Sequence, residues 1–297
     1  MPISEVAFAD TPLLRIGYES VGEPDAQTVV LLHGFPYDVR SYDEVAGPLV
    51  SGGVRVVAPY LRGYGPTRFL SGRTPRSGQQ AALGQDVIDL MDALGIGAAI
   101  VAGFDWGARA ASVAAALFPE RITGLVTVSG YPIQDIAGSA EPTDPLDEKS
   151  AWYQYYFHSE RGRRGLERNR DDLCRLLWRD WSPEWADAEA AFAASAPSLH
   201  NPDFVDVAVH SYRHRFGLVD GDPRYDELER RLATRPTISA PTVSVDSGAD
   251  GFGWFDSTEH APYFTGPFRT VVLPGVGHNP PQEDPAAFAE AVLTLAD

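Results

Sequence analysis

Cysteine is almost missing from this chain. Cys174 is the only one in 297 residues. That excludes an internal disulfide and a thiolate metal cluster. Cys174 falls in a helical apolar pattern with Leu173, Leu176 and Leu177, which reads as a buried structural thiol. Lysine is as scarce, with Lys149 alone among 24 basic residues. The bias toward arginine reads as genomic base composition, with no bearing on mechanism. Positive charge is short overall: 24 basic residues stand against 41 acidic ones, a formal charge of −17. Such a polyanion repels phosphate backbones and anionic lipid, so neither nucleic acid nor a membrane surface is an expected partner. No run of ~18 apolar residues is available for a membrane-crossing helix. Residues 1–22 lack the basic start and apolar stretch of a secretory leader. The expectation is a cytoplasmic protein acting on a small molecule, with no cofactor and no metal. Its oligomeric state is left open, a homodimer among the options.

What is present is ordinary globular material, 44% hydrophobic and 22% charged, which excludes disorder and coiled coils. The first third alternates strand and helix signals. Leu13–Glu19, Thr28–Leu32, Val54–Ala58 and Ala98–Ala102 read as strands. The last two are almost wholly apolar, as strands of a sheet covered on both faces should be. Ser77–Leu94 reads as a helix. Leu83, Val87, Leu90, Met91 and Leu94 share one face, Ser77 with Gln80 fits a capping box, and Gly95 stops it. A helix over Ala108–Phe118 and a strand over Gly124–Ser129 follow. This rhythm predicts a mostly parallel, doubly wound α/β sheet. The segment Ile133–Leu146 reads as a linker. Beyond it, to about Leu232, the pattern is helical and dense in aromatics. Strand signals return at Thr242–Val245 and Phe268–Leu273, and Pro285–Leu295 reads as a closing helix. The expected organisation is a core over 1–133 and 236–297, interrupted by a helical cap over 134–235.

The most telling segment runs from Ala98 to Ala108. A strand leads through Gly103-Phe104-Asp105-Trp106-Gly107 into an Ala-rich helix. That is the strand–turn–helix setting of a nucleophile elbow. The central residue is exposed on a tight turn at a helix N-terminus, where an anion is favoured. Here it is Asp105, not serine. A carboxylate is already ionised at pH 7 and suits displacement at a saturated carbon bearing a leaving group. The product would be an alkyl ester of Asp105, which water must then cleave. A plain tight turn with a solvated, N-capping aspartate is the competing reading of this segment.

Cleavage needs a base. His278 lies in a Gly/Pro loop after the last predicted strand, and a neutral imidazole near pKa 6.5 can take a proton from water. It needs an acid to orient it. Asp250 is preferred, with Asp246, Asp256 and Asp135 as alternatives. The order nucleophile, acid, histidine matches a hydrolase arrangement. The segment Leu31-Leu32-His33-Gly34-Phe35-Pro36 would place the Phe35 N–H opposite the elbow. With the Trp106 N–H it would form an oxyanion hole. His210 and His214 form an i, i+4 pair without an intervening glutamate, so no metal site is expected there.

Together, His33-Gly34-Phe35-Pro36, Arg62-Gly63-Tyr64-Gly65, Asp105-Trp106-Gly107, the acid loop and Gly277-His278 resemble a known group. It is the α/β-hydrolase-fold enzymes with an aspartate nucleophile, above all the soluble epoxide hydrolases. The resemblance implies two cap tyrosines that hold the epoxide oxygen. Tyr153 and Tyr212 stand in segments similar to theirs, with Tyr155 or Tyr156 as substitutes for Tyr153. A phenol stays protonated at pH 7 and can donate to an oxygen that becomes an alkoxide. Phe35, Phe104, Trp106 and Trp152 are expected to line the substrate pocket, which suits an apolar or aromatic epoxide. The chain departs from the group at Phe104, often histidine, and at Tyr60, usually aspartate.

Dehalogenation is the alternative with the same Asp-His-Asp triad. The halide would need N–H donors such as the Trp106 indole and one of Trp152, Trp178, Trp181 or Trp185. Arg109 matches the second carboxylate-binding arginine of fluoroacetate dehalogenases, but Trp106 stands where their first would be. A non-catalytic ligand-binding protein on this fold is the second alternative. A serine esterase has no Gly-x-Ser-x-Gly at the elbow to support it.

Overall fold

The computed structural model describes residues 3–253 and 255–296. The two chain ends of the expected core, 1 and 297, therefore lie outside the described residues. Nine strands among them form one sheet. They are β1 (Ala7–Asp10), β2 (Leu14–Val21), β3 (Thr28–Leu32), β4 (Arg55–Pro59), β5 (Arg68–Phe69), β6 (Ala99–Gly103), β7 (Ile122–Val128), β8 (Thr242–Ser247) and β9 (Phe268–Leu273). The order is β1-β2-β4-β3-β6-β7-β8-β9, with β5 paired to β2. β2 runs antiparallel to β1, β4 and β5. From β4 through β9 every pairing is parallel. β3 and β6 are buried at every position, so both faces of the sheet are covered there.

The covering helices come in pairs. α1 (Ala46–Ser51) packs against the C-terminal α12 (Pro285–Leu293), while α2 (Gln80–Ala93) packs against α3 (Trp106–Leu117). Between β7 and β8 the chain is helical: α4 (Pro145–Ser150), α5 (Trp152–His158), α6 (Glu160–Arg168), α7 (Arg170–Trp181), α8 (Ala188–Leu199), α9 (Phe204–His214) and α10 (Asp226–Leu232). A short α11 (Pro280–Glu283) precedes α12. The last helix of the insertion, α10, packs back on α2 and α3.

That contact corrects one expectation. α2 starts at Gln80, not Ser77, and Gln79 in its N-cap position makes no side-chain cap. Ser77 is buried and donates to the Gln79 side chain instead. The orphan N–H of Ala81 is taken by Glu229 of α10, at 3.1 Å. A carboxylate distant in sequence thus performs the capping.

Buried polar groups tie the pieces together. Arg62, after β4, grips Asp86 of α2 with two bonds of 2.6 and 2.7 Å. Asp38, after β3, accepts from Ser195 and Ser198 of α8 at 2.7 and 2.5 Å. Burial pushes the Asp38 carboxyl up to about 6, against those hydroxyls and the Arg40 N–H. Cys174 is buried, whereas Leu176 beside it is exposed.

Candidate active site

The carboxyl ends of the parallel strands converge on Asp105. Ligands favour that edge of an open α/β sheet. Phe35 follows β3, Asp105 follows β6, Asp250 follows β8 and His278 follows β9. Asp105 holds a positive φ of 50°. For a non-glycine residue that is a strained conformation, of a kind that clusters at functional turns. Two glycines permit it. A β-carbon on Gly107 would collide with the Leu32 carbonyl, and one on Gly34 would come within 2.6 Å of the Asp105 β-carbon.

The two oxygens of Asp105 have different surroundings. Oδ1 accepts from the backbone N–H of Phe35 at 2.7 Å and of Trp106 at 2.6 Å. Oδ2 stands 3.7 Å from His278 Nε2, beyond hydrogen-bond length. His33 braces the first donor loop. Its Nε2 accepts from the Leu61 N–H, and its Nδ1 lies 2.9 Å from the Gly34 carbonyl. Burial pulls this imidazole down to about 4, so at pH 7 it is neutral and donates through Nδ1.

His278 Nδ1 is 2.8 Å from Asp250 Oδ2. The other candidate acids are elsewhere. Asp246 is held by the Ser257 hydroxyl and N–H, Asp256 caps a turn at Thr258, and Asp135 receives the Gly138 N–H at the surface. Burial disfavours the imidazolium, yet Asp250 and Asp105 outweigh it and push His278 up to about 10. The free protein therefore carries a protonated His278 at pH 7, not the neutral ring expected from its ordinary value. Burial likewise opposes the Asp105 charge, but His278, Arg109 and the Phe35 N–H hold its carboxyl below the usual range.

Both tyrosines reach this centre. Tyr153 of α5 and Tyr212 of α9 are buried, with ring centroids 5.2 Å apart. Each also packs on Phe35, at 6.2 and 5.2 Å. Burial, helped by the Asp105 charge, pushes Tyr153 up to about 12, and burial drives Tyr212 well above its ordinary value too. Both phenols are protonated at neutral pH. The Tyr155 side chain instead meets Glu148 at the surface, and Tyr156 packs only partly buried against Trp152 and Phe157.

Of the expected pocket residues, Phe35 and Trp106 flank Asp105, with rings stacked at 5.5 Å. Phe104 turns away and packs between Tyr37 and Tyr42. Trp152 sits at the surface, 36% exposed, beside a shallow depression with Asp180 and Gly251. Neither is brought to the carboxylate. Tyr60, the other departure, bonds Glu19 at 2.9 Å.

Tyr37, Ser182 and Glu283 escaped sequence reasoning, and Trp181 entered it only as a candidate halide donor. The Tyr37 ring stacks between Trp178 and His278, and its hydroxyl is buried without a partner among the described residues. Trp181, at the end of α7, lies 4.7 Å from the His278 ring, and its carbonyl accepts the Gly251 N–H of the acid loop at 2.9 Å. Ser182 accepts the His278 N–H at 3.0 Å and donates to Glu283 at 2.7 Å. Glu283 also accepts from the N–H groups of Gly277 and Asn279. The signal for Tyr37 was its place two residues after Phe35. The others depend on how the cap meets the core.

Buried polar atoms without a hydrogen-bond partner among the described residues gather here: Trp106 Nε1, Tyr212 Oη and His278 Nε2 join Tyr37 Oη. Such atoms are rare in a folded interior and mark places meant for a ligand or water. No cluster of metal-ligating residues is found among the described residues, and no described helix is long and apolar enough to cross a membrane.

A curated relative, epoxide hydrolase A of Mycobacterium tuberculosis, is 28% identical over 96% of this chain and 95% of its own length. A haloalkane dehalogenase of Mycobacterium marinum is 34% identical, but over 43% of this chain and 42% of its own. A solved structure described as a "putative epoxide hydrolase" from Klebsiella pneumoniae superposes with a TM-score of 0.96 at 45% identity. It covers 98% of this chain and 97% of that one. The family model of the alpha/beta hydrolase fold matches residues 27–223. The chain belongs to the α/β-hydrolase fold family.

Proposed function

We propose that this protein hydrolyses an epoxide to a vicinal diol through an ester of Asp105. The observation that carries the reading is the asymmetry of the Asp105 carboxylate. One oxygen already rests on two N–H donors, and the other faces His278 beneath two protonated phenols. Oδ2 forms the new bond to a ring carbon as the ring C–O bond breaks. The electron pair stays on the ring oxygen, held and protonated at Tyr153 and Tyr212. Oδ1 becomes the ester carbonyl oxygen, still on the Phe35 and Trp106 N–H groups. Loss of the Asp105 charge lowers the proton affinity of His278. The imidazolium then gives up its proton, which restores the phenol, and the neutral ring deprotonates water. Hydroxide adds at the ester carbon. The two N–H donors hold the oxyanion, each worth about 3 kcal/mol in such sites. Collapse breaks the bond from the ester carbon to the diol oxygen; that alkoxide takes the proton of the added hydroxyl, which leaves the diol, the Asp105 carboxylate and the imidazolium that Asp250 stabilises.

A halide leaving group fits less well. The Trp178 indole N–H is engaged by the Pro36 carbonyl at 3.1 Å, which leaves Trp106 without that partner donor. A purely binding role leaves the strained Asp105 and its protonated neighbour without purpose.

The test is to trap the ester. His278→Gln, mixed with styrene oxide, should gain the mass of one epoxide on the peptide containing Asp105. Wild-type enzyme should release diol. Diol formed in one turnover in heavy-oxygen water should carry no label, which goes to Asp105. Label in that first diol refutes covalent catalysis.

A further inference from the structure

Two guanidinium groups near the reaction centre form no ion pair among the described residues. Arg109 lies on α3, one helical turn after Asp105, and its Nε reaches the Pro132 carbonyl at 3.3 Å. Arg215 caps the C-terminal end of α9, three residues after Tyr212. It lies over the Tyr212 ring at 4.3 Å, and its Nη1 donates to Gln154 at 3.3 Å. Arg109 Nη1 and both Nε and Nη2 of Arg215 are sealed from solvent and make no hydrogen bond among the described residues. Neither guanidinium forms an ion pair there, whereas the imidazolium of His278 faces two carboxylates. Burial, then repulsion from Arg215, pulls Arg109 down to about 10. Two like charges are thus held close together, with donors unspent. Planar guanidinium forks match a carboxylate, which accepts two parallel bonds and neutralises both partners.

A route to Arg215 exists. Arg215 and Gln154 line a cavity of about 660 Å³ that Phe252 also lines. The Phe252 ring meets both Tyr153, at 6.5 Å, and His278, at 6.2 Å. Asp135, Glu141, Asp147 and Glu148 also line this cavity. The first three are exposed and Glu148 is half-buried, so salt screens them more than the sealed guanidinium atoms.

We infer that the epoxide substrate carries a carboxylate, held between Arg109 and Arg215 while Tyr153 and Tyr212 hold the ring oxygen. The inference rests on the epoxide reading above and sharpens it. The aromatic walls receive the apolar remainder of the molecule.

The experiment compares 3-phenylglycidate, its methyl ester and styrene oxide at 0.15 M salt. Wild-type enzyme should favour the acid over the ester by at least a hundredfold in kcat/KM. Arg215→Gln and Arg109→Gln should each reduce that preference at least tenfold. Arg215→Lys, which keeps the charge and loses the fork, should fall between. Calorimetry supplies a readout independent of turnover: phenylacetate should bind the wild type and phenylacetamide should not. An ester or styrene oxide turned over as well as the acid overturns the anchor, as does a preference that survives both glutamine variants. If phenylacetate binds through the two arginines but no epoxide yields diol, the anchor stands and the epoxide reading falls.

Discussion

The protonated His278 gives the sharpest handle on the chemistry. Replace Asp105 with asparagine, and one of the two charges facing the ring disappears. Asp105 Oδ2 lies 3.7 Å from Nε2, and both side chains are nearly buried. At an effective dielectric near 20, that charge pair is worth about 4 kcal/mol. One pH unit is 1.36 kcal/mol, so the ring should drop from about 10 to roughly 7–8. Asp250 remains and keeps it above the ordinary value. The assay is an NMR titration of labelled histidine, with His278→Gln assigning the resonance among the seven histidines. Asp105→Asn also mimics the uncharged ester, so the same drop is the one that readies His278 to take a proton from water. A titration unmoved by the substitution would refute the claim that alkylation turns an acid into a base. Stability must follow with a definite sign. A histidine raised by folding stabilises fully below its unfolded value near 6.5 and loses that contribution as pH rises through about 10. The advantage of wild type over His278→Gln in urea should therefore shrink across pH 7–10.

Two further predictions test the cap. Tyr153→Phe and Tyr212→Phe should each lower epoxide kcat/KM by roughly a hundredfold, the scale of lost proton donation. Alkylation of Asp105 by an alkyl halide, followed by mass, should be affected much less, because halide needs no proton. Asp38 links β3 to α8 with its carboxyl raised to about 6. An acid raised by folding stabilises fully below its unfolded value and loses that contribution as pH climbs through the folded one. The unfolding free energy of wild type relative to Asp38→Asn should fall by about 3 kcal/mol between pH 3 and pH 7. A pH-independent difference in urea titrations refutes it.

Where a residue's role follows from its neighbours in sequence, the chain was legible. The strand Ala99–Gly103 and the helix from Trp106 flank Asp105 because small residues permit the turn. Phe35 and Trp106 donate from their backbones, so side-chain orientation does not enter. The short elements β1, β5 and α1 were missed because four, two and six residues make too little pattern to detect. Where a role depends on rotation about a helix axis, sequence left adjacent residues indistinguishable. Trp152 and Tyr153 are neighbours, yet α5 buries the second and leaves the first at the surface.

The acid loop shows the same limit in another form. Asp246 and Asp250 sit four residues apart, and either could reach a histidine by chain order alone. Ser257 decides against Asp246, because its hydroxyl and N–H consume both oxygens. The bond from the Gly251 N–H to the Trp181 carbonyl ties the loop beside Asp250 to the cap. The residue that receives it lies 70 positions away and belongs to a different layer. Ser182, next to Trp181, holds the His278 N–H in the same way. The end of α7 thus holds both the Asp250 loop and the His278 backbone. In the proposed reaction, cap and core are consequently not separable parts, one for recognition and one for chemistry. There the cap supplies the phenols, Arg215 and the brace under His278, while the core supplies the carboxylate, Arg109 and the N–H groups.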